Sequence, residues 1–415
     1  MLTVLSIWKE KNARSQPTAT FSSLLTEWGR VKRLARPDRR HMERVCQAFM
    51  LQAQPGTTAA QMKEVTTWLE QFQATTEAWQ VADQLLAQPA DGSTAVTTAA
   101  HIFAAQTMRA KIQFDWAELP AASHAQLRAS LMGHILRFGR GSQPVLTQLA
   151  IAVGVLALHM EEWHATVVND LISSLTTPAE EVTAKLPCLL ELLTVLPEEA
   201  ENYKVAVLPR QRQNFRAMLS AHSPNVFTLL GQVCAQCEPQ AGTEIGLVIL
   251  DKMLRCVSSW LRRHPPPDAH LSSLPLLPFT FRALGSERLF DAATDLIVDM
   301  IHHTAQSEDP NGQPLQVATL TQILQLVPRY DEAVAAENID AAKAYCRLFA
   351  EAGEQHLRLL LQRPEEGALS MVRAILRGAQ HPEADVAEVT FNFWYVSRRR
   401  ARGRRGATDC DWAPP

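Results

Sequence analysis

Between residues 250 and 261 the apolar side chains Leu250, Met253, Leu254, Val257, Trp260 and Leu261 recur at steps of three, one, three, three and one. Asp251, Lys252, Arg255, Ser258, Ser259 and Arg262 fill the opposite face, the arrangement of an α-helix with one side buried. Val386, Val389, Phe393 and Val396 repeat the spacing near the far end of the chain. Nowhere does an alternation of period two persist, so the pattern predicts helices and no sheet. Proline and glycine punctuate it. Gln54-Pro55-Gly56 separates helices predicted over 43–53 and 58–74, and Pro89 to Ser93 precedes a long helix ending near Pro120. Further boundaries are expected at Pro144, Pro178, Pro187, Pro224, Pro239, Pro265 to Pro267, Asp309 to Pro314, Pro364 and Pro382. The reason is that proline disfavours helical geometry in the residue before it. Pro275 and Pro278 interrupt the helix expected over 271–284, which should be kinked or split.

The predicted helices come in pairs around short polar turns, and the pair recurs about every 40–47 residues from Met42 to Val396. This is the period and content of a HEAT or armadillo array. A single pair cannot bury its apolar face; stacking on neighbours completes the core. The expected fold is all-α: a right-handed superhelical α-solenoid of about eight HEAT-type helix pairs that works by its surface.

Composition refines this picture at a few points. The 415 residues are 47 % hydrophobic and 20 % charged, a folded chain longer than one compact core. Its net charge of −3 carries no polyanion-binding signature for the whole chain. The most apolar run, residues 149–158, falls short of the ~20 residues that cross a bilayer, so no membrane partner is expected. Seven cysteines without regular spacing point to a reducing compartment. Residues 1–41 lack helical periodicity and are expected to be a disordered or unrelated extension, although their basic, Ser/Thr-rich content is also that of a transit peptide. The solenoid then occupies 42–396, and 397–415 is expected to be a basic disordered tail. In that tail the run Arg398 to Arg405 could contact nucleic acid or serve as a nuclear localisation signal, but it holds no interleaved aromatic residue, so a solvated tail is the expectation and RNA binding through the tail the rival.

Catalytic signatures are missing. There is no GxxxxGK[ST] phosphate loop, no HExxH and no nucleophile elbow. Cys234-Ala-Gln-Cys237 has the spacer of a zinc or redox pair, but Cys256 alone does not supply a second ligand pair, so both read as small core residues. His302 and His303, one turn after Asp299, point in different directions around a helix and read as a polar edge. No catalytic, cofactor or metal site is nominated, and a non-enzymatic role is expected.

Five blocks carry a resemblance. Trp79-Gln-Val-Ala-Asp-Gln-Leu-Leu86, Phe103-Ala-Ala-Gln-Thr-Met-Arg-Ala-Lys-Ile112, Leu189-Leu-Glu-Leu-Leu-Thr-Val-Leu-Pro-Glu-Glu199, Ala344-Tyr-Cys-Arg-Leu-Phe349 and Phe391-Asn-Phe-Trp-Tyr395 occur in order on the predicted repeat frame. In this they resemble the karyopherin-β (importin-β) nuclear transport receptors, nearest the transportin-SR and importin-thirteen branch. The importin N-terminal region would lie at about 60–130. Trp79, Leu85, Leu86, Ile102, Met108 and Ile112 sit at core-facing spacing and are expected to pack.

The resemblance implies a nuclear import receptor of cytoplasm, nucleus and nuclear pore that binds Ran-GTP, phenylalanine-glycine repeats of nucleoporins and protein cargo such as SR-rich splicing factors. By the same resemblance, Lys63, Glu64, Gln106, Arg109 and Lys111 are the candidate Ran contacts on the first inner helices. Glu198, Glu199 and Glu201 are expected to form an acidic loop for a basic partner. Receptors of this kind hold about twenty repeats. The expectation is therefore a truncated isoform or an imperfect gene model lacking the cargo-binding arch, ending in an arginine run and Asp409-Cys-Asp-Trp-Ala-Pro-Pro415. The aromatic surface of Phe391, Phe393, Trp394 and Tyr395 would then lie uncovered and favour self-association. The competing expectation is a HEAT scaffold or adaptor without a GTPase switch.

Overall fold

A computed structural model describes residues 39–89, 97–139, 141–177, 181–306, 313–357 and 368–408. All regular structure among them is helical. The chain divides into two units, Met1–His222 and Ser223–Pro415.

The first unit begins with α1 (Arg39–Ala53), α2 (Ala59–Gln73), α3 (Glu77–Ala87) and α4 (Thr98–Phe114). It continues through α5 (His124–Phe138), α6 (Gln143–His159), α7 (Val167–Leu175) and α8 (Val182–Ala200). The first reversal uses Gly56, whose φ of 97° lies where a side chain would be strained. Thr58 and Gln61 then form a reciprocal capping box that starts α2. Thr97 caps α4 more simply, its hydroxyl accepting from the Ala100 N–H. The second helices of successive pairs pack on one another, α4 on α6 and α6 on α8, while α3, α5 and α7 each cover one flank. This explains α6, which is buried from Val145 to Leu158 except at Thr147, Gln148 and Ile151: neighbours surround it. Among the described residues no helix is long and apolar enough to cross a membrane.

α9 (Pro209–Cys237) runs across the boundary between the units. The second unit then holds α10 (Glu244–Arg263), α11 (Asp268–Ser272), α12 (Leu276–Ala283), α13 (Phe290–Gln306) and α14 (Gln313–Leu324). It ends with α15 (Val327–Ala335), α16 (Ile339–Gln355), α17 (Ala368–Ala379), α18 (Ala384–Ala387) and α19 (Phe391–Thr408). Thr243 and Asn338 cap α10 and α16. Here again the second helices pack in series, α10 on α13, α13 on α16 and α16 on α19.

Several boundaries differ from the sequence reading. Pro187 and Pro197 lie inside α8, and Pro224 lies inside α9. An interior proline costs a helix about 3 kcal/mol. In α8 that cost is outweighed by burial of Leu186, Leu189, Leu190, Leu192, Leu193, Val195 and Leu196, each worth about 1.5–3 kcal/mol. The split expected over 271–284 is present: α11 and α12 are separated at Ser273 to Pro275, and Pro278 sits within α12. Ser258 and Ser259, assigned to the polar face of α10, are buried, because α13 covers a second flank of that helix. The first described helix starts at Arg39, ahead of Met42, and α19 continues through the arginine run to Thr408 instead of ending at Val396. The rest of the 1–41 extension and residues 409–415 fall outside the described residues.

Candidate partner-binding surface

Helices α1, α2 and α4 enclose a groove of about 340 Å³. Its apolar floor is Phe49, Leu69, Ile102 and Phe103, and its polar rim is Gln52, Thr66, Glu70, Gln73 and Gln106. Across the rim, Gln73 Nε2 donates to Thr107 Oγ1 at 2.9 Å and ties α2 to α4. Lys63 and Glu64, just before Thr66 on α2, are exposed, as is Gln106 on α4. Three of the five candidate Ran contacts therefore present polar side chains on the helices that flank this groove.

Arg109 is half-buried and turned to the next pair, where its guanidinium donates to Gln148 Oε1 on α6 at 2.8 Å. The row continues on the next pair: Thr147 Oγ1 donates to Glu191 Oε1 of α8 at 2.6 Å, and Gln143 Nε2 to Glu191 Oε2 at 3.2 Å. Sequence reasoning missed Thr147, Gln148 and Glu191. Gln143 and Thr147 lie at the four-residue helical spacing that would have placed them together; Gln148 does not.

Lys111 is different. It is 1 % exposed, and its ammonium lies 2.8 Å from both Asp115 and Glu118, with the Trp79 ring 5.7 Å away. The Lys111 and Trp79 hydrogen bonds hold the Glu118 carboxyl below the usual carboxylate range. Lys111 therefore closes the C-terminal end of α4 and, unlike the surface contact expected of it, does not stand on a solvated face. Among the expected packing residues, Leu85, Leu86, Met108 and Ile112 are fully buried, while Trp79 and Ile102 are half-buried. Ile102 lines the groove.

The acidic loop is also not a loop. Glu198 and Glu199 form the last turn of α8, and Glu201 is its C-terminal cap. Glu199 is buried against α6: a Cβ on Gly154 would come 3.1 Å from its Cγ. Burial pushes its carboxyl up, opposed by a hydrogen bond from Asn202 Nδ2 at 2.7 Å and by the charges of Arg109 and Arg212. Glu201 is paired with Arg216, which also donates to Tyr203 Oη at 3.0 Å. Arg212 is buried and donates to the carbonyl oxygens of Ala200 and Val205, both at 2.8 Å, closing the end of α8. Only Glu198 of the three keeps a half-exposed side chain without such a role in packing.

In the second unit the vicinal histidines diverge as expected. His303 Nε2 lies 2.8 Å from Asp268 and His302 Nε2 lies 3.2 Å from Glu351 on α16. Asp299 instead accepts from Ser258 and lies 3.4 Å from Arg262 Nε. Cys234 and Cys237 are buried, and burial pushes the Cys234 thiol up to about 12, so both are packing residues.

Three family models match the chain in succession: the importin-beta N-terminal domain over 65–137, exportin 1-like protein over 142–297, and the transportin-3/importin-13 second TPR domain over 337–398. The chain belongs to the importin-β family. Transportin MOS14 of Arabidopsis thaliana is 35 % identical over 335 residues, 79 % of this chain and 33 % of the relative. Importin-13 of Homo sapiens is 31 % identical over 345 residues, again 79 % and 33 %. Importin-13 of Gallus gallus is 30 % identical over 285 residues, 66 % and 28 %. The karyopherin chain thus spans about one third of the length of the curated relatives it matches. The importin-beta N-terminal match takes in α3, α4 and most of α2 and α5, and with them the groove residues from Thr66 to Gln106, while Phe49 and Gln52 on α1 lie ahead of it.

Proposed function

We propose that this chain acts in nuclear transport as part of a transportin- or importin-13-like receptor, shuttling between cytoplasm and nucleus and binding its partners non-covalently. The observation that carries this reading is the order of the three matches, N-terminal domain first, along one continuing frame of helix pairs. On this reading the GTP form of Ran engages the second helices of the first pairs, through Lys63, Glu64 and Gln106 at the groove and Arg109 beside it. Lys111 supports that surface from beneath without touching the partner. Glu198 is left to meet a basic partner. Phenylalanine-glycine repeats and protein cargo are the remaining partners.

The test is retention of Ran carrying a non-hydrolysable GTP analogue against Ran-GDP by the intact chain. Nucleotide-dependent retention that drops at least about tenfold in Lys63→Glu/Arg109→Glu supports the proposal, since close interfacial charge pairs couple by about 1.5–7 kcal/mol. Equal retention of both forms, or none, leaves the HEAT scaffold as the better reading.

A further inference from the structure

Four tyrosines occur in the chain. Tyr330 and Tyr345 are buried, whereas Tyr203 is 77 % exposed and Tyr395 is 64 % exposed. Tyr203 stands in the turn between Glu201, the C-terminal cap of α8, and Pro209, where α9 begins. Glu198, Glu199 and Glu201 precede it closely. Tyr395 instead lies inside α19 and is followed by Arg398, Arg399 and Arg400. The first two turns of α9 bring two arginines to the Tyr203 ring. The Arg212 and Arg216 guanidinium carbons lie 5.2 and 5.7 Å from its centroid. Arg212 is committed to the carbonyl oxygens of Ala200 and Val205, so it offers only its charge. Arg216 is less committed. Its Nη2 donates to Tyr203 Oη at 3.0 Å and to Glu201, and its Nε is buried without a hydrogen-bond partner.

We propose that Tyr203 is a phosphorylation site and that Arg216 receives the phosphate. In the reaction Tyr203 Oη attacks the γ-phosphorus of ATP and the bond from that phosphorus to the β-phosphate oxygen breaks. ADP leaves, and the phenolic proton passes to the base of a protein tyrosine kinase. The turn needs no helix to unwind, and the acids ahead of the tyrosine give the kind of charge pattern by which kinases select a segment. Once attached, the phosphate carries about −1.5 to −2 charge and three acceptor oxygens. Beside Arg216 it gains charge-assisted hydrogen bonds stronger than the one the phenol accepts now. The same charge repels Glu201. Arg216 therefore passes from Glu201 to the phosphate, and Glu201 joins Glu198 among the acids at the end of α8 that are not held within the protein. The inference does not rest on Ran binding, because it uses only the turn after α8 and the start of α9.

The experiment incubates the intact chain with magnesium ATP and the catalytic domain of a broad-specificity tyrosine kinase, then maps phosphotyrosine by tryptic mass spectrometry. Stoichiometric incorporation at Tyr203 is expected, and its loss in Tyr203→Phe. No incorporation, or incorporation at Tyr395 equal to or above that at Tyr203, overturns the proposal. Phosphorus magnetic resonance of the modified chain then follows the second ionisation of the phosphate. With Arg216 in contact this ionisation should lie about one unit below that of a free phosphotyrosine peptide. Arg216→Gln should return it to the peptide value. Glu201→Gln, which removes the competitor and leaves the guanidinium in place, should lower it further. An ionisation at the peptide value in the parent chain, or one indifferent to either substitution, overturns the role given to Arg216. Circular dichroism checks that each variant keeps its helices.

Discussion

Lys111 Nζ sits 2.8 Å from Glu118 Oε2 although the lysine is 1 % exposed and the glutamate belongs to the short turn after α4. The lysine stem thus fills a core position while its head reaches the rim, where Asp115 provides the second carboxylate. Removing the acids strands a buried ammonium, whereas removing the lysine leaves two half-exposed carboxylates in reach of water. Asp115→Asn/Glu118→Gln is therefore expected to lower the unfolding midpoint in urea more than Lys111→Met does. Because Glu118 is held below its ordinary value, its contribution is complete above that value and is lost as pH falls through the folded one.

Two glycines are expected to be irreplaceable for the same reason. A Cβ at Gly139 would overlap Cys188 Sγ, and one at Gly378 would overlap Cys346 Sγ. Both thiols are buried in helices of the neighbouring pair. Gly139→Ala and Gly378→Ala should each cost about 1–3 kcal/mol in chemical denaturation. Adding Cys188→Ala or Cys346→Ala, respectively, should recover most of the loss, an interaction free energy that a double-mutant cycle reads directly.

Glu199 has the opposite pH signature from Glu118. Its folded carboxyl titrates above the ordinary value, so the folded state holds the proton longer and stability declines as pH rises through that window. Glu199→Gln keeps a hydrogen-bond acceptor for Asn202 and removes the titration. The variant should be at least as stable as the parent at pH above the window and show a flatter profile there; a less stable variant would mean that the Arg109 and Arg212 charges outweigh burial.

Acid should destabilise the second unit through His356. Burial pulls this imidazole down to about 4, and its Nε2 lies 3.2 Å from Thr304 Oγ1. The unfolded chain takes up the proton first, so full stability holds above about 6.5 and declines as pH falls toward 4. The loss is on the order of 3 kcal/mol at 1.36 kcal/mol per pKa unit. His356→Gln should move the acid-unfolding midpoint to lower pH, followed by near-ultraviolet circular dichroism; an unmoved midpoint excludes His356 as the trigger.

The paired-helix frame was legible because each helix writes its own spacing locally. Capping residues such as Thr58, Thr97, Thr243 and Asn338 mark where second helices begin, and Leu85, Met108 and Ile112 fall at core spacing. Prolines misled where packing was strong. Pro187 and Pro197 disfavour a helix by themselves, yet the apolar flank of α8 holds it through both. The candidate surface was legible only in part: Lys63, Glu64 and Gln106 are exposed as expected, whereas Lys111, Glu199 and Glu201 are engaged within the protein.

The amino-acid order by itself determined the all-helical class, the repeat period and the family, since periodicity, caps and ordered motifs are properties of short stretches. Tertiary structure alone decided which charges stay at the surface and which are spent inside. The cause is that burial of a polar side chain depends on what packs against it, as the turn after α4 folds back on Lys111 and α6 covers Glu199, and the spacing of apolar positions within one helix does not encode that cover.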